Sequence, residues 1–145
     1  MSYVWTYEKL GRFTYNLLSN EQIKPFLLEH IMAEWRTDAV EHPEQIWTRE
    51  WMAALPRMRF DLEILQVSDV QPRADLMAFE TEEENFYEDL VERAIERETS
   101  LDRGVSTEPI LVNRNGCELM DGYTRYLVFT RQGQDFTYAY VGTVE

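Results

Sequence analysis

A short segment, Asp-Gly-Tyr-Thr-Arg at residues 121–125, combines the residue types that bind phosphate groups. Gly122 lets the backbone approach a ligand closely, because glycine has no side chain. The pattern predicts a helix from about Tyr123, so the amides of Tyr123, Thr124 and Arg125 would lie at its positive end. The guanidinium of Arg125 adds a planar pair of donors for an anion. These residues form a candidate phosphate site.

The same segment has a simpler interpretation, in which it only turns the chain into a helix. Asp121 would then cap the helix by accepting a hydrogen bond from the amide of Thr124, and Arg125 would pair with a surface glutamate. Asp121 itself has two candidate roles, a carboxylate that faces magnesium and this cap. The residues leave both interpretations open.

The charge balance argues against nucleic acid as a partner. The 145 residues include 27 acidic and 14 basic side chains, a formal net charge of -13 at pH 7. The long-range field of such a chain repels DNA backbones and anionic membrane surfaces alike. A local arginine can still bind a small anion, because its field dominates at short range. We therefore expect neither DNA nor a membrane as a partner.

The side chains also limit the cofactors. Cys117 is the single cysteine, so neither an intramolecular disulfide nor a thiolate site for zinc or an iron–sulfur cluster can form. His30 and Glu34 lie one turn apart in a predicted helix, but a third metal ligand in register is lacking. No motif implies haem or flavin. With one cysteine and neither a signal nor a membrane-spanning segment, we expect a cytoplasmic protein.

The elements that would position the candidate site follow from hydrophobic periodicity. Between Ser19 and Leu55 apolar residues recur at helical spacing, which predicts two helices whose tryptophans need a hydrophobic surface. Apolar and polar residues alternate from Phe60 to Val67, which predicts a strand with one buried face. A glutamate-rich helix follows, with Glu82, Glu83 and Glu84 in its first turn, where the helix dipole favours negative charge.

The last third of the sequence predicts a β-hairpin, a helix and a closing strand. The hairpin turns at Asn115-Gly116, between apolar segments that begin at Ile110 and end at Met120. The helix ends at Gly133, the usual residue type after a helix C-terminus. Together with the preceding strand, these elements predict an α+β fold.

The order of these elements and three short motifs resemble the ParB/sulfiredoxin-like superfamily, which includes the ParB N-terminal-like nuclease domain. The motifs are Gln71-Pro72-Arg73, Pro109-Ile110-Leu111-Val112 and Gly122-Tyr123-Thr124-Arg125. The resemblance covers about residues 58–145 and implies a small mixed sheet with helices. Residues 1–57 have no counterpart, and we expect them to form a helical N-terminal extension packed on that domain.

In members of this superfamily the glycine-led loop holds the phosphates of a nucleotide. The resemblance implies a nucleotide-binding domain in which residues 122–125 hold the phosphates, Arg73 approaches from the other side, and magnesium accompanies the nucleotide. Free serine kinases of the superfamily use a glutamate just after the first strand, where this chain offers Asp69 as a candidate base. An exposed turn aspartate is the alternative for Asp69. Hydrolysis, phosphoryl transfer and simple sensing of the nucleotide remain open.

Where this sequence differs from the motifs of the family, two of the family's activities are not expected. Sulfiredoxins carry their reactive cysteine where this chain has Tyr123, so we expect no sulfinic acid reduction. ParB partitioning proteins carry Gly-Glu-Arg-Arg and then a basic DNA-binding domain, whereas this box has one arginine, so we expect no role in DNA segregation. The alternative function is a non-catalytic protein-interaction module with a degenerate pocket, which uses the acidic helix or the aromatic N-terminal helices.

Overall fold

A computed structural model of the chain describes residues 2–74, 86–102 and 104–145, with the backbone alone for residues 86–91 and 102. Within these ranges the chain forms six strands and four α-helices. In chain order they are β1 (Thr6–Leu10), β2 (Phe13–Leu17), α1 (Asn20–Glu41), α2 (Ile46–Ala54), β3 (Met58–Gln66), α3 (Phe86–Asp102), β4 (Ile110–Asn113), β5 (Glu118–Asp121), α4 (Tyr123–Arg131) and β6 (Phe136–Val144).

The strands form two sheets. β1 and β2 pair as an antiparallel hairpin, and the other four lie in the order β3-β6-β4-β5. β6 is antiparallel to β3 but parallel to β4, and β4 is antiparallel to β5. Because helices pack against a mixed sheet of this kind, the predicted α+β fold class is confirmed.

Both faces of the four-stranded sheet are buried. Successive strand residues point to opposite faces, so Ile110 and Val112 contact one apolar cluster while Leu111 contacts the other. The first cluster also holds buried residues of β2 and α4, such as Tyr15 and Phe129. The second is filled mainly from α1 and α2. The sheet is therefore the middle layer of the core.

The two predicted helices between Ser19 and Leu55 are present as α1 and α2. Ile31 and Trp35 of α1 are buried, and Trp51 of α2 packs against Trp35 with ring centroids 5.6 Å apart. Both tryptophans belong to the cluster that covers Leu111 and its neighbours. The hydrophobic surface that these helices need is therefore one face of the sheet.

The first 17 residues differ from the predicted helical extension, because residues 6–17 form the β1–β2 hairpin. β2 is part of the core: Phe13, Tyr15 and Leu17 are buried, and the hydroxyl oxygens of Tyr15 and Thr137 lie 3.0 Å apart. These apolar residues alternate with Thr14 and Asn16, which is the period of a strand. The helical prediction is therefore wrong for this segment.

The second half follows the predicted order. The β4–β5 hairpin turns through Asn115 and Gly116, and Gly116 has a φ of 71° that suits glycine. α4 ends before Gly133, and β6 closes the sheet. The acidic helix is present as α3, although Glu82, Glu83 and Glu84 lie outside the described residues. None of the helices in the described part of the chain has the length and apolar character that crossing a bilayer requires.

Candidate phosphate-binding site

The predicted site lies where β5 passes directly into α4. Gly122 makes this connection with a φ of 96°, in the left-handed region that favours glycine. The first backbone hydrogen bond of the helix runs from Tyr126 N to Gly122 O at 2.8 Å. The amides of the first turn precede this bond and have no acceptor within the helix. No side chain caps the helix, so the prediction that Asp121 caps it is wrong.

Arg125 folds back toward the residues that precede its helix. Its Nη2 donates to Asp121 Oδ2 at 3.2 Å and to the carbonyl oxygen of Pro109 at 3.3 Å. The side chain of Arg125 is only 11% exposed, and that of Asp121 is 25% exposed. The arginine therefore lies in a partly buried pair with Asp121, and the prediction of a surface pair with a glutamate is wrong.

The guanidinium of Arg125 packs directly against Gly122. A Cβ atom added to Gly122 would lie 2.8 Å from Arg125 Nη2 and 2.9 Å from Ile110 Cγ2. Both separations are shorter than real Cβ contacts. Glycine is therefore required here by the close approach of its neighbours as well as by its backbone angle.

One donor of this buried arginine is unused. Arg125 Nε is inaccessible to solvent and finds no hydrogen-bond partner among the described residues. A buried donor without an acceptor costs about 1–3 kcal/mol, so native structures rarely keep one without a reason. Nε and Nη2 share one edge of the guanidinium, and an oxyanion with two oxygens can fill both.

Carboxylates of α1 act on the same region. Partial desolvation raises the pKa of Glu34, and the negative charges of Asp121 and Asp38 raise it further, while Arg125 opposes the rise. Desolvation likewise raises the pKa of Asp38. The positive charge of His42 opposes this rise, and the negative charge of Asp121 adds to it. The candidate site therefore combines a positive centre with a negative border.

A second arginine, on α3, is also affected by Arg125. Desolvation lowers the pKa of Arg97, and the positive charge of Arg125 lowers it further, while Glu108 opposes this.

Within the described ranges no three potential metal-ligating side chains come together. Magnesium at Asp121 stays a prediction.

The side chain of Arg73 packs against α2 and β5. Its guanidinium carbon lies 4.7 Å from the ring centre of Trp47, a cation–π distance, and its Nη1 lies 3.8 Å from Glu118 Oε2. Glu118 in turn accepts a hydrogen bond of 2.8 Å from Trp51 Nε1. Arg73 thus joins a polar cluster with Trp47, Trp51 and Glu118.

Tyr123 links this cluster to the first turn of α4. Its hydroxyl accepts a hydrogen bond from the backbone N–H of Arg73 at 3.1 Å and donates to the carbonyl oxygen of Leu119 at 2.8 Å. The hydroxyl therefore ties the Gln71-Pro72-Arg73 motif to the Gly122–Arg125 box. The contact passes through the backbone of Arg73, whereas the prediction has its side chain reach the phosphate.

Asp69 lies at the other end of β5. It is exposed in the short turn after β3, and its charge adds to the desolvation that raises the pKa of Cys117. Cys117 comes immediately before β5, whereas Gly122 comes immediately after it. The structure thus separates Asp69 from the box, and its role as a base stays a prediction.

Several residues around the site are not assigned to it by the sequence, in which Glu34 attracts notice only as a possible metal ligand beside His30. Glu34 and Asp38 look like solvated positions on a helix, and Glu118 looks like a polar residue of a hairpin. Their partners are distant along the chain: 67 positions separate Trp51 from Glu118. Local patterns of residue type do not identify such contacts.

Comparison with known proteins finds partial matches among solved structures. The structure of the pNOB8-like ParB N-domain matches with a TM-score of 0.43 and 14% identity, over 61% of this chain and 29% of that chain. The C2221 form of a Pnob8-like ParB-N domain matches with a TM-score of 0.45 and 14% identity, over 62% of this chain and 32% of that chain. The matched region is thus less than a third of either solved chain.

No protein-family model matches the sequence, and no curated protein matches it. Both matched structures are of ParB N-domains, at 14% identity to this chain.

Proposed function

We propose that this chain is a nucleotide-binding domain that holds a phosphate group at the N-terminus of α4. The observation that supports this most directly is the buried Nε of Arg125, which lacks an acceptor among the described residues. A phosphate oxygen there would satisfy this donor and would lie next to the first-turn amides. The nucleotide is the phosphate carrier that the sequence resemblance implies.

The acidic border suggests that the phosphate arrives with magnesium. The negative charge of Asp121 contributes to raising the pKa of both Glu34 and Asp38, so the three carboxylates lie near one another and would repel a bare triphosphate. Magnesium is commonly held by one or two carboxylates together with substrate phosphates. A magnesium–nucleotide complex therefore suits the charges better than the free nucleotide does.

Calorimetric titration with ATP, CTP and GTP, each with and without magnesium, tests the proposal. We expect Arg125→Ala to weaken binding by about 1.5–3 kcal/mol, the range for a hydrogen bond to a charged group. Arg125→Lys should recover only part of this loss, because an ammonium lacks the planar donor pair. Arg59→Ala is the matched control, since Arg59 is an exposed arginine that pairs with Asp61 at 3.5 Å.

A protein-interaction module remains the second candidate. It is favoured by two apolar side chains on either side of the α1–α2 connection, Val40 at 82% exposed and Ile46 at 59% exposed. If the wild type binds no nucleotide at millimolar concentration, the phosphate proposal fails and this candidate replaces it.

A further inference from the structure

We infer that Asp121 is a built-in competitor for the phosphate, and that a ligand gains access to Arg125 by displacing this carboxylate. The inference rests on the proposed function and adds a regulatory contact to the same site. It follows from how Asp121 holds Arg125, from the space above Gly122 and from the charges nearby.

The contact between Asp121 and Arg125 fills only half of a donor edge. Asp121 Oδ2 accepts from Nη2 at 3.2 Å, while Nε on the same edge has no acceptor among the described residues. The backbone of Asp121 is fixed by its pairing with Leu111 in the sheet, which limits how the carboxylate can move. A free phosphate has no such backbone restraint, so two of its oxygens can accept from Nε and Nη2 together.

The position of the guanidinium places this competition beside Gly122. Arg125 Nη2 lies 2.8 Å from where a Cβ of Gly122 would be, so the guanidinium covers the glycine. A phosphate that reaches the first-turn amides must come close to Gly122. A phosphate at these amides therefore meets the guanidinium and competes with Asp121 and Pro109 for its Nη2 donor.

The charge of Asp121 opposes the ligand directly. Its negative charge raises the pKa of both Glu34 and Asp38, so its field extends over the border of the site. An incoming phosphate would meet the same repulsion. Removing this one charge would lower the repulsion and free the arginine at the same time.

Titration of Asp121→Asn with inorganic triphosphate and with ATP, each with and without magnesium, tests the inference. In the absence of magnesium we expect the variant to bind at least about threefold more tightly than the wild type, because a neutral amide holds a guanidinium less strongly than a carboxylate does. Asp121→Ser serves as a second variant with a shorter side chain, and thermal melting checks that both are folded. Glu44→Gln removes one exposed negative charge elsewhere and should change binding little.

A double substitution shows whether Asp121→Asn acts through Arg125 or only by changing the net charge of the site. If Asp121 acts by holding Arg125, most of the gain from Asp121→Asn should vanish when Arg125→Ala is added. If Asp121→Asn increases the affinity just as much in the Arg125→Ala background, the inference is overturned, because the increase would then reflect net charge alone. Equal or weaker binding by a folded Asp121→Asn protein in the absence of magnesium, with a wild type that binds, would also overturn the inference but leave the proposed function intact. If neither protein binds triphosphate or ATP, both the inference and the proposed function are wrong.

Discussion

At the scale of single residues, Gly122 carries two constraints that can be separated by experiment. Its φ of 96° is unfavourable for other residues, and a Cβ there would also meet Arg125 and Ile110. Gly104 has a similar φ of 86°, but a Cβ there would meet no atom of the described residues within 4 Å. The two glycines therefore form a matched pair that differs only in crowding.

We expect Gly122→Ala to be more destabilising than Gly104→Ala. The backbone strain in each variant is of order 1–3 kcal/mol, and crowding should add about 1–3 kcal/mol at Gly122 alone. Urea unfolding of both variants gives the two free energies. Equal losses would mean that the Arg125 guanidinium and Ile110 move aside at little cost.

Residue types revealed part of the site without its geometry. A glycine, a helix start and an arginine three positions later were enough to predict that Gly122 and Arg125 lie together. They did not show that Arg125 turns back to Asp121 and Pro109, because Pro109 is brought there by β4. The direction of a long side chain depends on neighbours that are distant in sequence, and local spacing does not encode them.

At the scale of elements, the indole of Trp51 fastens α2 to the start of β5. Trp51 is 7% exposed, and its Nε1 donates to Glu118 Oε1 at 2.8 Å. The other carboxylate oxygen faces Arg73 Nη1 at 3.8 Å. One glutamate therefore connects a helix, a strand and the Gln71-Pro72-Arg73 motif.

We expect Glu118→Leu to destabilise the fold by about 1–3 kcal/mol, because it leaves the largely buried Trp51 donor without an acceptor. Glu118→Gln is the control: its side-chain oxygen can still accept from the indole, so its cost should be under about 1 kcal/mol. Guanidinium unfolding measures both values. Similar losses in the two variants would show that the charge of Glu118, and not its hydrogen bond, holds the elements together.

A helix or strand is predicted correctly where its sequence combines a clear hydrophobic period with a recognisable turn or end residue. The second-half hairpin combined an Asn-Gly turn with apolar strands, and the helix before Gly133 had a clear end, so these elements were predicted correctly. β2 also had a strand pattern at Phe13, Tyr15 and Leu17, but it is only five residues long. β1 is almost wholly exposed and lacks an apolar face, so its sequence has no comparable signal.

At the scale of the whole molecule, the sheet is covered on both faces by residues from the first 57 positions. Tyr15 belongs to the cluster on one face, and Trp35 and Trp51 belong to the cluster on the other. The sequence-based boundary between residues 57 and 58 therefore crosses two apolar contact regions. The division into an N-terminal extension packed on a domain of residues 58–145 stays a prediction.

We expect a fragment of residues 58–145 to aggregate or to unfold without cooperativity. Removing the earlier residues exposes apolar side chains on both faces of the sheet, and the loss of one buried tryptophan alone typically costs about 3–5 kcal/mol. Light scattering and calorimetric melting of the fragment, with the full chain as the reference, measure the effect. A soluble fragment with a single sharp transition would instead establish residues 58–145 as a domain in its own right.

The position of β6 has a consequence for synthesis on the ribosome. β6 follows all the other described elements in sequence, yet it lies between β3 and β4, and it pairs Val144 with Met58. Pairing between residues so far apart is slow, because the intervening chain must be brought together first. Until residues 136–144 have left the exit tunnel, β3 has no partner and the aromatic side chains of α1 and α2 lack part of the surface that they cover. The nascent chain therefore passes through a stage at which exposed apolar surface is greatest, and this is the stage at which a chaperone would bind it.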